Sequence, residues 1–530
     1  MNNKQSVVII GGGIGGLVCG AILSKEGYSV RVLEKHTVAG GGLHTFRRNG
    51  IEWETGMHVI SGFQPDGVLR RLFNYLGIAV HSTPSLPSFS PSSFYSSSFS
   101  PPSEGSGEVY IKPANQDGFD HFHVASDGIT YKMAVGRENF AETLAAYFPE
   151  EKENIRRYVN KVYEICNSVA LFNLRVPSAD IYSNMEAMSI SVNEMIASYT
   201  NNPKLQALLA WNNVLYGGEK DKTPAYVGAL ITQFYIEGAS RFIDGSQQLA
   251  DALIEVIHQN GGEVLTNTEV RFIDIHDRNI QKVVTANGTE FTADRYISAI
   301  HTSTMFKLMD ITKIQKSYYQ RIDNIPNSYS AFTVYIAFKP QCFPYLNYTG
   351  YYAPDYEGVW KCAEYTNENW PRGFMYITPP ITDNDVFAQK MIVNTIMNFD
   401  TVKQWEKTTV GKRGEEYKTF KKQCEDKILD MMEKVFPDFR SKIDSIFSAS
   451  PLTIRDYYGT KEGANYGTVK DCNNMAASNI AIRTKLHNLL LTGQNINLHG
   501  ILGVPLTAIS TCGELLGIEY LLNKINTHTL

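Results

Sequence analysis

The chain of 530 residues is longer than one hydrophobic core supports, so its length alone predicts two or three domains. A net charge of -5 and a hydrophobic content of 43% are ordinary for a globular protein, and no basic stripe follows the chain. Nucleic acid is therefore excluded as an expected partner. The seven cysteines are scattered and never form a CxxC spacing, so the sequence predicts neither a disulfide framework nor a metal site.

The start of the chain bears on its compartment. MNNKQSVVII leads into an apolar strand without the charged start and the cleavage site of a secretion signal, so we expect a cytoplasmic protein. Apolar runs such as AYVGALITQFYI end well short of the roughly 18 residues that cross a bilayer. Any contact with a membrane is therefore expected to be peripheral.

A βαβ unit opens the chain: SVVII predicts a strand, LVCGAILSKEG a helix and YSVRVLEK a second strand. Gly11, Gly13 and Gly16 form a GxGxxG frame, and Glu34 follows 18 residues after the last glycine. The first glycine permits a tight turn, the second lets the backbone approach a pyrophosphate, and the third lets the helix pack on the strand. Glu34 would accept hydrogen bonds from a ribose hydroxyl. The unit therefore predicts a site for an ADP moiety.

That fingerprint does not separate NAD from FAD, and a segment near the C-terminus bears on the choice. HNLLLTGQNINLHGILGVPLTAI predicts a strand, a polar loop and a helix that begins with Pro505 in its first turn. A helix N-terminus stabilises negative charge, and beside the N1 and C2 carbonyl of an isoalloxazine ring it would favour the anionic reduced flavin. The alternative is a C-terminal helix that docks on the protein and touches no ligand.

Several segments together resemble a known flavoprotein family. VLEKHTVAGGGLHTFRRNGIEWETGMHVI and LLLTGQNINLHGILGVPLTAI are similar to motifs of the phytoene desaturases, carotenoid isomerases and retinol saturases. GGEVLTNTEVRFIDI, VVTANGTEFTADRYISAI and PLTIRDYYGTKEGANYG resemble middle segments of the same family more loosely. The resemblance implies an α/β fold, in which a three-layer, Rossmann-like FAD-binding domain carries an inserted mixed α/β substrate domain.

The resemblance also implies which residues hold FAD. It places the glycine triplet from Gly40 along the pyrophosphate, the ribityl chain and the flavin, and it places the adenine against the backbone of Val270. Gly493 and Gln494 stand where relatives often carry an acidic residue for the ribityl chain, and an amide can still bond a hydroxyl. Of a PxGG-like turn found in relatives, only Gly245 is kept. The full set of expected cofactor-binding residues is Gly11, Gly13, Ile14, Gly15, Gly16, Glu34, Lys35, Gly41, Gly42, Leu43, His44, Gly56, Met57, Val270, Gly493, Gln494, Gly503 and Val504.

The segment IEWETGMHVI supplies the expected catalytic residue. Its alternation predicts a strand, and the resemblance implies that Gly56, Met57 and His58 lie at the isoalloxazine. Hydride addition to an unpolarised polyene leaves a carbanion, so the reaction needs a proton donor beside the flavin, and histidine suits that work near neutral pH. We expect His58 to be this general acid and His44 to help hold the cofactor. The alternative is that His58 only bonds the backbone or the flavin.

The rest of the chain predicts a substrate domain that is inserted between pieces of the FAD-binding domain. Helical patterns such as ENFAETLAAYF alternate with strand-like YSAFTVYIAF, as in a mixed α/β lid over an apolar cavity. Residues 82–107 are rich in serine and proline and predict a flexible surface loop, with insertion of Phe89, Phe94, Tyr95 and Phe99 at a lipid interface as the alternative. The predicted division assigns 1–75, 241–301 and 451–530 to the FAD-binding domain, and 76–240 and 302–450 to the substrate domain.

The cofactor motifs and the resemblance together imply an FAD-dependent oxidoreductase that saturates a carbon–carbon double bond of an apolar polyene, a retinoid or a carotenoid. Desaturation and cis–trans isomerisation are the enzymatic alternatives. An alternative of another class is a non-catalytic lipid-binding protein of the Rab GDP-dissociation-inhibitor type, against which the intact cofactor motifs argue. A single nucleotide fingerprint is visible, so we expect an external electron donor or acceptor.

Overall fold

The computed structural model describes residues 4–82, 107–176, 185–382 and 384–528. Most of the segment 82–107, with its four aromatic residues, lies outside the described residues. All seven cysteines are unpaired, and six of them are buried. Within the described ranges no cluster of histidine, cysteine and acidic side chains could hold a metal ion, and no helix is long and apolar enough to cross a membrane.

The strands are numbered in chain order. They are β1 Ser6–Ile10, β2 Ser29–Leu33, β3 Thr45–Arg48, β4 Ile51–Glu54, β5 Ala79–Ser82, β6 Glu108–Pro113, β7 Asp120–Val124, β8 Ile129–Met133, β9 Ser240–Phe242, β10 Glu263–Leu265, β11 Val270–His276, β12 Asn279–Thr285, β13 Glu290–Phe291, β14 Arg295–Ser298, β15 Ser330–Phe338, β16 Thr349–Ala353, β17 Phe374–Ile377, β18 Lys390–Met397, β19 Ile443–Ala449 and β20 Leu489–Leu491.

The α-helices follow the same order. They are α1 Ile14–Lys25, α2 Val68–Leu76, α3 Arg137–Tyr147, α4 Lys152–Ser168, α5 Met185–Ser189, α6 Val192–Ala197, α7 Pro203–Leu209, α8 Ala225–Ile236, α9 Gln247–Gln259, α10 Thr302–Lys307, α11 Lys316–Asp323, α12 Glu415–Val435, α13 Pro451–Tyr458, α14 Met475–Ser478, α15 Gly500–Leu516 and α16 Ile518–Thr527.

A parallel sheet carries the N-terminal glycine motif. Over the described residues its strand order is β10-β2-β1-β14-β20, and every neighbouring pair is parallel. Val7 and Ile9 of β1 pack against α1, α9 and α15, whereas Val8 and Ile10 pack toward β11 and β12. Strands buried on both faces read as continuous apolar runs, which explains SVVII and LLL. Helices, parallel sheet and antiparallel sheet form three layers, so the predicted Rossmann-like arrangement is confirmed.

A larger mixed sheet forms the second part of the molecule. Its order among the described strands is β19-β15-β18-β17-β16-β7-β8. Phe332 and Val334 of β15 face α12, and Tyr335 faces the opposite core, which includes residues of α3, α4 and α8. The two cores explain why YSAFTVYIAF lacks polar alternation. The exact domain boundaries given above stay predictions.

Two local expectations are wrong. The C-terminal helix α15 begins at Gly500, so Pro505 lies inside the helix and not at its start. The segment IEWETGMHVI does not run on as a strand, because β4 ends at Glu54 and the following residues turn. The N–H of Thr55 still donates to the His44 carbonyl of the β3–β4 hairpin, whereas the Thr55 carbonyl accepts the hydroxyl of the distant Tyr335.

Candidate active site

The turn after β1 needs glycine for close packing. Gly11 has a φ of +102°, which glycine adopts without strain. A Cβ on Gly16 would lie 2.0 Å from the carbonyl oxygen of Gly11, so any side chain there would push helix α1 off the strand. The backbone N–H of Gly12 donates to Glu34 Oε2 over 2.8 Å. The fingerprint therefore folds as its spacing predicts.

Other glycines border open space instead. The nearest atom to a Cβ on Gly13 would be the Cα of Gly41, 3.9 Å away, and on Gly42 it would be Tyr458 Oη, 3.8 Å away. Gly40 donates its N–H to the carbonyl of Gly12 over 2.7 Å, which joins the two glycine motifs. Backbone with free space beside it at the N-terminus of α1 suits an anionic pyrophosphate.

Glu34 is buried at the predicted ribose position, where the residue is 6% exposed. Its Oε2 accepts from Gly12, and its Oε1 accepts the N–H of His36 over 2.9 Å. Each carboxylate oxygen has two lone pairs, so both oxygens keep capacity for a ribose hydroxyl. The N–H of Thr268 donates to the Glu34 carbonyl, which brings Val270, two residues on, to this end of the sheet.

The C-terminal motif lies against the start of α1. The Cα of Gly493 lies 3.3 Å from the position of a Cβ on Gly15, and Val504 Cγ1 lies 3.0 Å from the same point. A Cβ on Gly503 would meet Leu498 at 2.3 Å, so this glycine allows close packing within the motif. The loop at Gly493 and Gln494 and the start of α15 therefore border the same cradle as the N-terminal glycines.

The remaining predicted cofactor residues surround this cradle. Ile14 opens α1, Leu43 is buried with its carbonyl bonded to Ser246, and Met57 packs against the large apolar core. Lys35 Nζ lies 3.5 Å from the carbonyl of Asp456. His44 Nδ1 is buried without a hydrogen-bond partner among the described residues, and burial lowers the pKa of its ring. Because buried polar atoms are normally hydrogen-bonded, the unpaired Nδ1 of His44 is suited to bond an atom of a bound cofactor.

His58 and Glu54 form a pair beside Gly56. His58 Nδ1 lies 3.2 Å from Glu54 Oε1, and the Glu54 side chain is 4% exposed. His58 Nε2 lies 3.6 Å from the position of a Cβ on Gly56, and Tyr458 Oη lies 4.0 Å from the same point. The carboxylate can accept Nδ1–H, which leaves Nε2 on the side of Gly56.

A buried lysine, Lys390, interacts electrostatically with Glu54 of this pair. Lys390 Nζ donates to the carbonyl oxygen of Glu52 over 2.5 Å, and the residue is 3% exposed. Burial lowers the pKa of Lys390, while the nearby carboxylates of Glu54, Asp244 and Glu52 act in the opposite direction. The ammonium group of Lys390 therefore lies among acidic side chains that include Glu54.

Sequence reasoning missed Glu54, Lys390 and Tyr458 as site residues. Tyr458 donates its hydroxyl to Thr55 Oγ1 over 3.1 Å, and Thr55 in turn donates to the Gly42 carbonyl over 2.9 Å. The spacing of four residues between Glu54 and His58 was the one available sign of the pair. In a continuous strand, residues four apart are too distant to bond, so the predicted strand concealed the pair. Nothing in the sequence joins Lys390 to Glu52, 338 positions away.

A chain of cavities lies between the large mixed sheet and the C-terminal motif. A cavity of about 50 Å³ shares Tyr466 with a smaller one of about 20 Å³, whose wall includes Gln494 and His499. A third, of about 470 Å³, shares Tyr329 and Cys362 with the first. Several aromatic side chains lie in the wall of the first cavity, together with aliphatic and polar ones; the aromatic residues are Phe122, Trp211, Tyr329, Tyr351, Tyr352, Phe374 and Tyr466.

A buried acid anchors this wall. Asp120 Oδ2 accepts the indole N–H of Trp211 over 2.9 Å, and Asp120 is 1% exposed. Burial raises the pKa of Asp120 to about 7, against the opposing effects of the Trp211 bond and of the Arg241 charge. Arg241 itself donates to Leu346 and Thr349. At the other end, burial lowers the pKa of His499 to about 4, and its Nε2 bonds the Leu215 carbonyl over 3.0 Å.

The three-layer fold, the glycine cradle and the buried acid at the predicted ribose position are those of a dinucleotide-binding protein, and the match to a flavin-containing family makes it an FAD-dependent oxidoreductase. The chain belongs to the family of flavin containing amine oxidoreductases, whose family model matches residues 14–516.

Individual relatives align with most of the length of this chain. All-trans-retinol 13,14-reductase of Rattus norvegicus is 25% identical, over 94% of this chain and 84% of that protein. Prolycopene isomerase 1 of an Oncidium hybrid cultivar is 23% identical, over 88% of this chain and 75% of that protein. A structure of putrescine oxidase with bound putrescine shares the fold with a TM-score of 0.62, at 13% identity over 97% of this chain and 99% of that one.

Proposed function

We propose that this flavoprotein reduces one carbon–carbon double bond of a long apolar polyene, a retinoid or a carotenoid. The observation that carries the proposal is the cavity with aromatic side chains in its wall, which shares the wall residue Tyr466 with the cavity beside Gln494. The names of the retinol reductase and prolycopene isomerase relatives support the same substrate class. The volume of this cavity is about 50 Å³, whereas common ligand sites have volumes of about 300 Å³ or more. Side chains of the wall must therefore change their orientation when the substrate binds.

The protein's part in the reaction is to hold FAD and to deliver a proton. The predicted cofactor set around the glycine cradle would bind the pyrophosphate, the ribose and the isoalloxazine. When bound and reduced, the flavin supplies hydride. Glu54 orients the His58 ring, and His58 Nε2–H, on the Gly56 side, gives the proton to the polyene. The aromatic wall excludes water, so the charge that develops on the polyene is not quenched by solvent.

Isomerisation of a polyene is the second candidate, and the prolycopene isomerase relatives favour it. It needs the same cofactor and cavity but leaves the substrate mass unchanged. A non-catalytic lipid-binding role is disfavoured by the open cradle and by the orphaned His44 Nδ1, which suit a bound flavin.

Electron supply and location complete the proposal. With one nucleotide fingerprint in the sequence, reduction of the flavin is assigned to an external donor and not to a bound nicotinamide. The protein would work in the cytoplasm, in peripheral contact with the membrane in which its substrate dissolves. NADPH alone is then expected to leave the flavin oxidised, and reduction at catalytic speed would contradict this assignment.

The test is a single turnover without oxygen. Holoenzyme is reduced with dithionite and mixed with a panel of retinoids and carotenoids, the flavin spectrum is followed, and the products are weighed by mass spectrometry. Gain of two hydrogens with reoxidation of the flavin supports reduction. A changed retention time at constant mass would replace it by isomerisation, and an unchanged panel would sink both.

A further inference from the structure

Arg372 stands out in the wall of the aromatic cavity. Its side chain is 17% exposed, and its Nε is buried without a hydrogen-bond partner. Over the described residues the guanidinium makes no hydrogen bond, and its ion pair is a contact of 3.8 Å to Asp355 Oδ1. That oxygen already accepts the N–H of Gly358 over 2.7 Å. Arg372 therefore keeps unused donors beside a cavity.

Other buried or half-buried arginines also leave one nitrogen unpaired, as the Nε of Arg241 does, but each of them donates through its terminal nitrogens. Arg241 donates to the Leu346 carbonyl over 3.4 Å and to Thr349 Oγ1 over 3.1 Å. Arg413 donates to Thr408 and pairs with Asp456. A guanidinium carries five N–H donors in a rigid fork, and buried donors are normally paired. The unpaired state of Arg372 therefore indicates a ligand acceptor.

The chemistry of the wall limits what that ligand can be. Trp211, Tyr351 and Phe374 present apolar surface for a long hydrocarbon, whereas Arg372 presents a charge at one side. The cavity beside Gln494 is its neighbour, because Tyr466 lies in the walls of both. A substrate that fills both cavities would place its conjugated chain toward the flavin and one end at the guanidinium.

We propose that Arg372 binds the oxygen-bearing end of the polyene. This inference rests on the proposed function and names its substrate class. An arginine fork matches a carboxylate best, because two parallel charge-assisted bonds form, while an alcohol accepts one bond and a hydrocarbon none. The order of affinity is therefore carboxylate, then alcohol, then hydrocarbon.

Equilibrium binding tests this order without turnover. Oxidised holoenzyme is titrated with retinoic acid, with retinol and with the matching hydrocarbon that lacks oxygen, and quenching of tryptophan fluorescence gives each Kd. For Arg372→Met we expect the Kd of retinoic acid to rise about 10- to 100-fold, with less than about a threefold change for the hydrocarbon. Arg372→Lys keeps the charge and should fall between the two.

Asp355→Asn is the matched control, because it removes the carboxylate that competes for the guanidinium. It should hold retinoic acid as tightly as the unchanged protein or more tightly. Equal weakening of all three ligands in Arg372→Met, or weakening in Asp355→Asn, would mean that Arg372 only supports the cavity wall, and would overturn the inference. Flavin content and melting temperature check that each variant is folded.

The two proposals fail in different ways. Absence of any mass gain in the single-turnover panel would end the proposed reduction, whatever the binding series shows. Turnover of the hydrocarbon at the rate and affinity of the acid, in the unchanged protein, would end the assignment of Arg372 and leave the reduction standing.

Discussion

His58 Nδ1 lies 3.2 Å from Glu54 Oε1, across the turn that follows β4. The buried carboxylate can accept Nδ1–H and so hold the orientation of the ring. Nε2 is left beside Gly56, where the glycine backbone allows close approach. The pair is built like a general acid with its orienting group, so its two members have separable effects.

Glu54→Gln tests the orienting role. The amide keeps the volume but lacks the charge, so we expect full FAD content and a single-turnover rate that falls about 10- to 100-fold. The rate of flavin reoxidation by polyene in a stopped-flow instrument measures this change. Glu52→Gln is the control, because Glu52 is exposed and its backbone carbonyl, which accepts from Lys390, is untouched. Equal rates in the two variants would remove Glu54 from the mechanism.

His58→Phe and His44→Phe separate catalysis from cofactor binding. His58→Phe should keep FAD and lose about 100-fold or more in the single-turnover rate, because the proton donor is gone. His44→Phe should lower FAD content, since its buried Nδ1 lacks a protein partner. Flavin absorbance per protein and stopped-flow rates give both readings. A normal rate in His58→Phe would move the proton source to Tyr458, whose hydroxyl lies on the same side of Gly56.

The parts of the site that depend on local sequence were predictable. The turn at Gly11, the packing at Gly16 and the acid at Glu34 follow from a spacing that one βαβ unit imposes. The Glu54–His58 pair was not predictable, because the end of β4 is set by contacts of Thr55 with Tyr335 and Tyr458, which are distant in sequence. The alternation of apolar and polar residues predicts that the strand continues past Glu54, and in a strand neighbouring side chains lie on opposite faces.

Gly13→Val and Gly16→Val distinguish a cofactor glycine from a packing glycine. The space beside Gly13 is open, so valine there should leave the apo-protein folded and fill the pyrophosphate position. Valine at Gly16 would clash with the Gly11 carbonyl and should abolish folding. Flavin absorbance and circular dichroism are compared for the two variants. Full flavin occupancy in Gly13→Val would contradict the assignment of this loop.

Asp120 should make stability fall as pH rises. Burial raises the pKa of Asp120 in the folded protein to about 7. In an unfolded chain the pKa of an aspartate is about 3.9. Between these values the native state binds more protons than the unfolded state, so the contribution is complete below about pH 4 and is lost as pH rises through about 7. His499, whose pKa is lowered to about 4, acts in the opposite direction over the acid part of this range.

Asp120→Asn isolates the contribution, because His499 titrates equally in both proteins. We expect the unchanged protein to lose stability relative to the variant between pH 5 and pH 7.5, on the order of 1 to 3 kcal/mol. Urea unfolding followed by tryptophan fluorescence at the two pH values gives the difference, and Trp211, bonded to Asp120, is one of its reporters. Parallel pH dependence in the two proteins would show that Asp120 is ionised throughout, held by Arg241, and that the anchor of the aromatic wall is an ion pair.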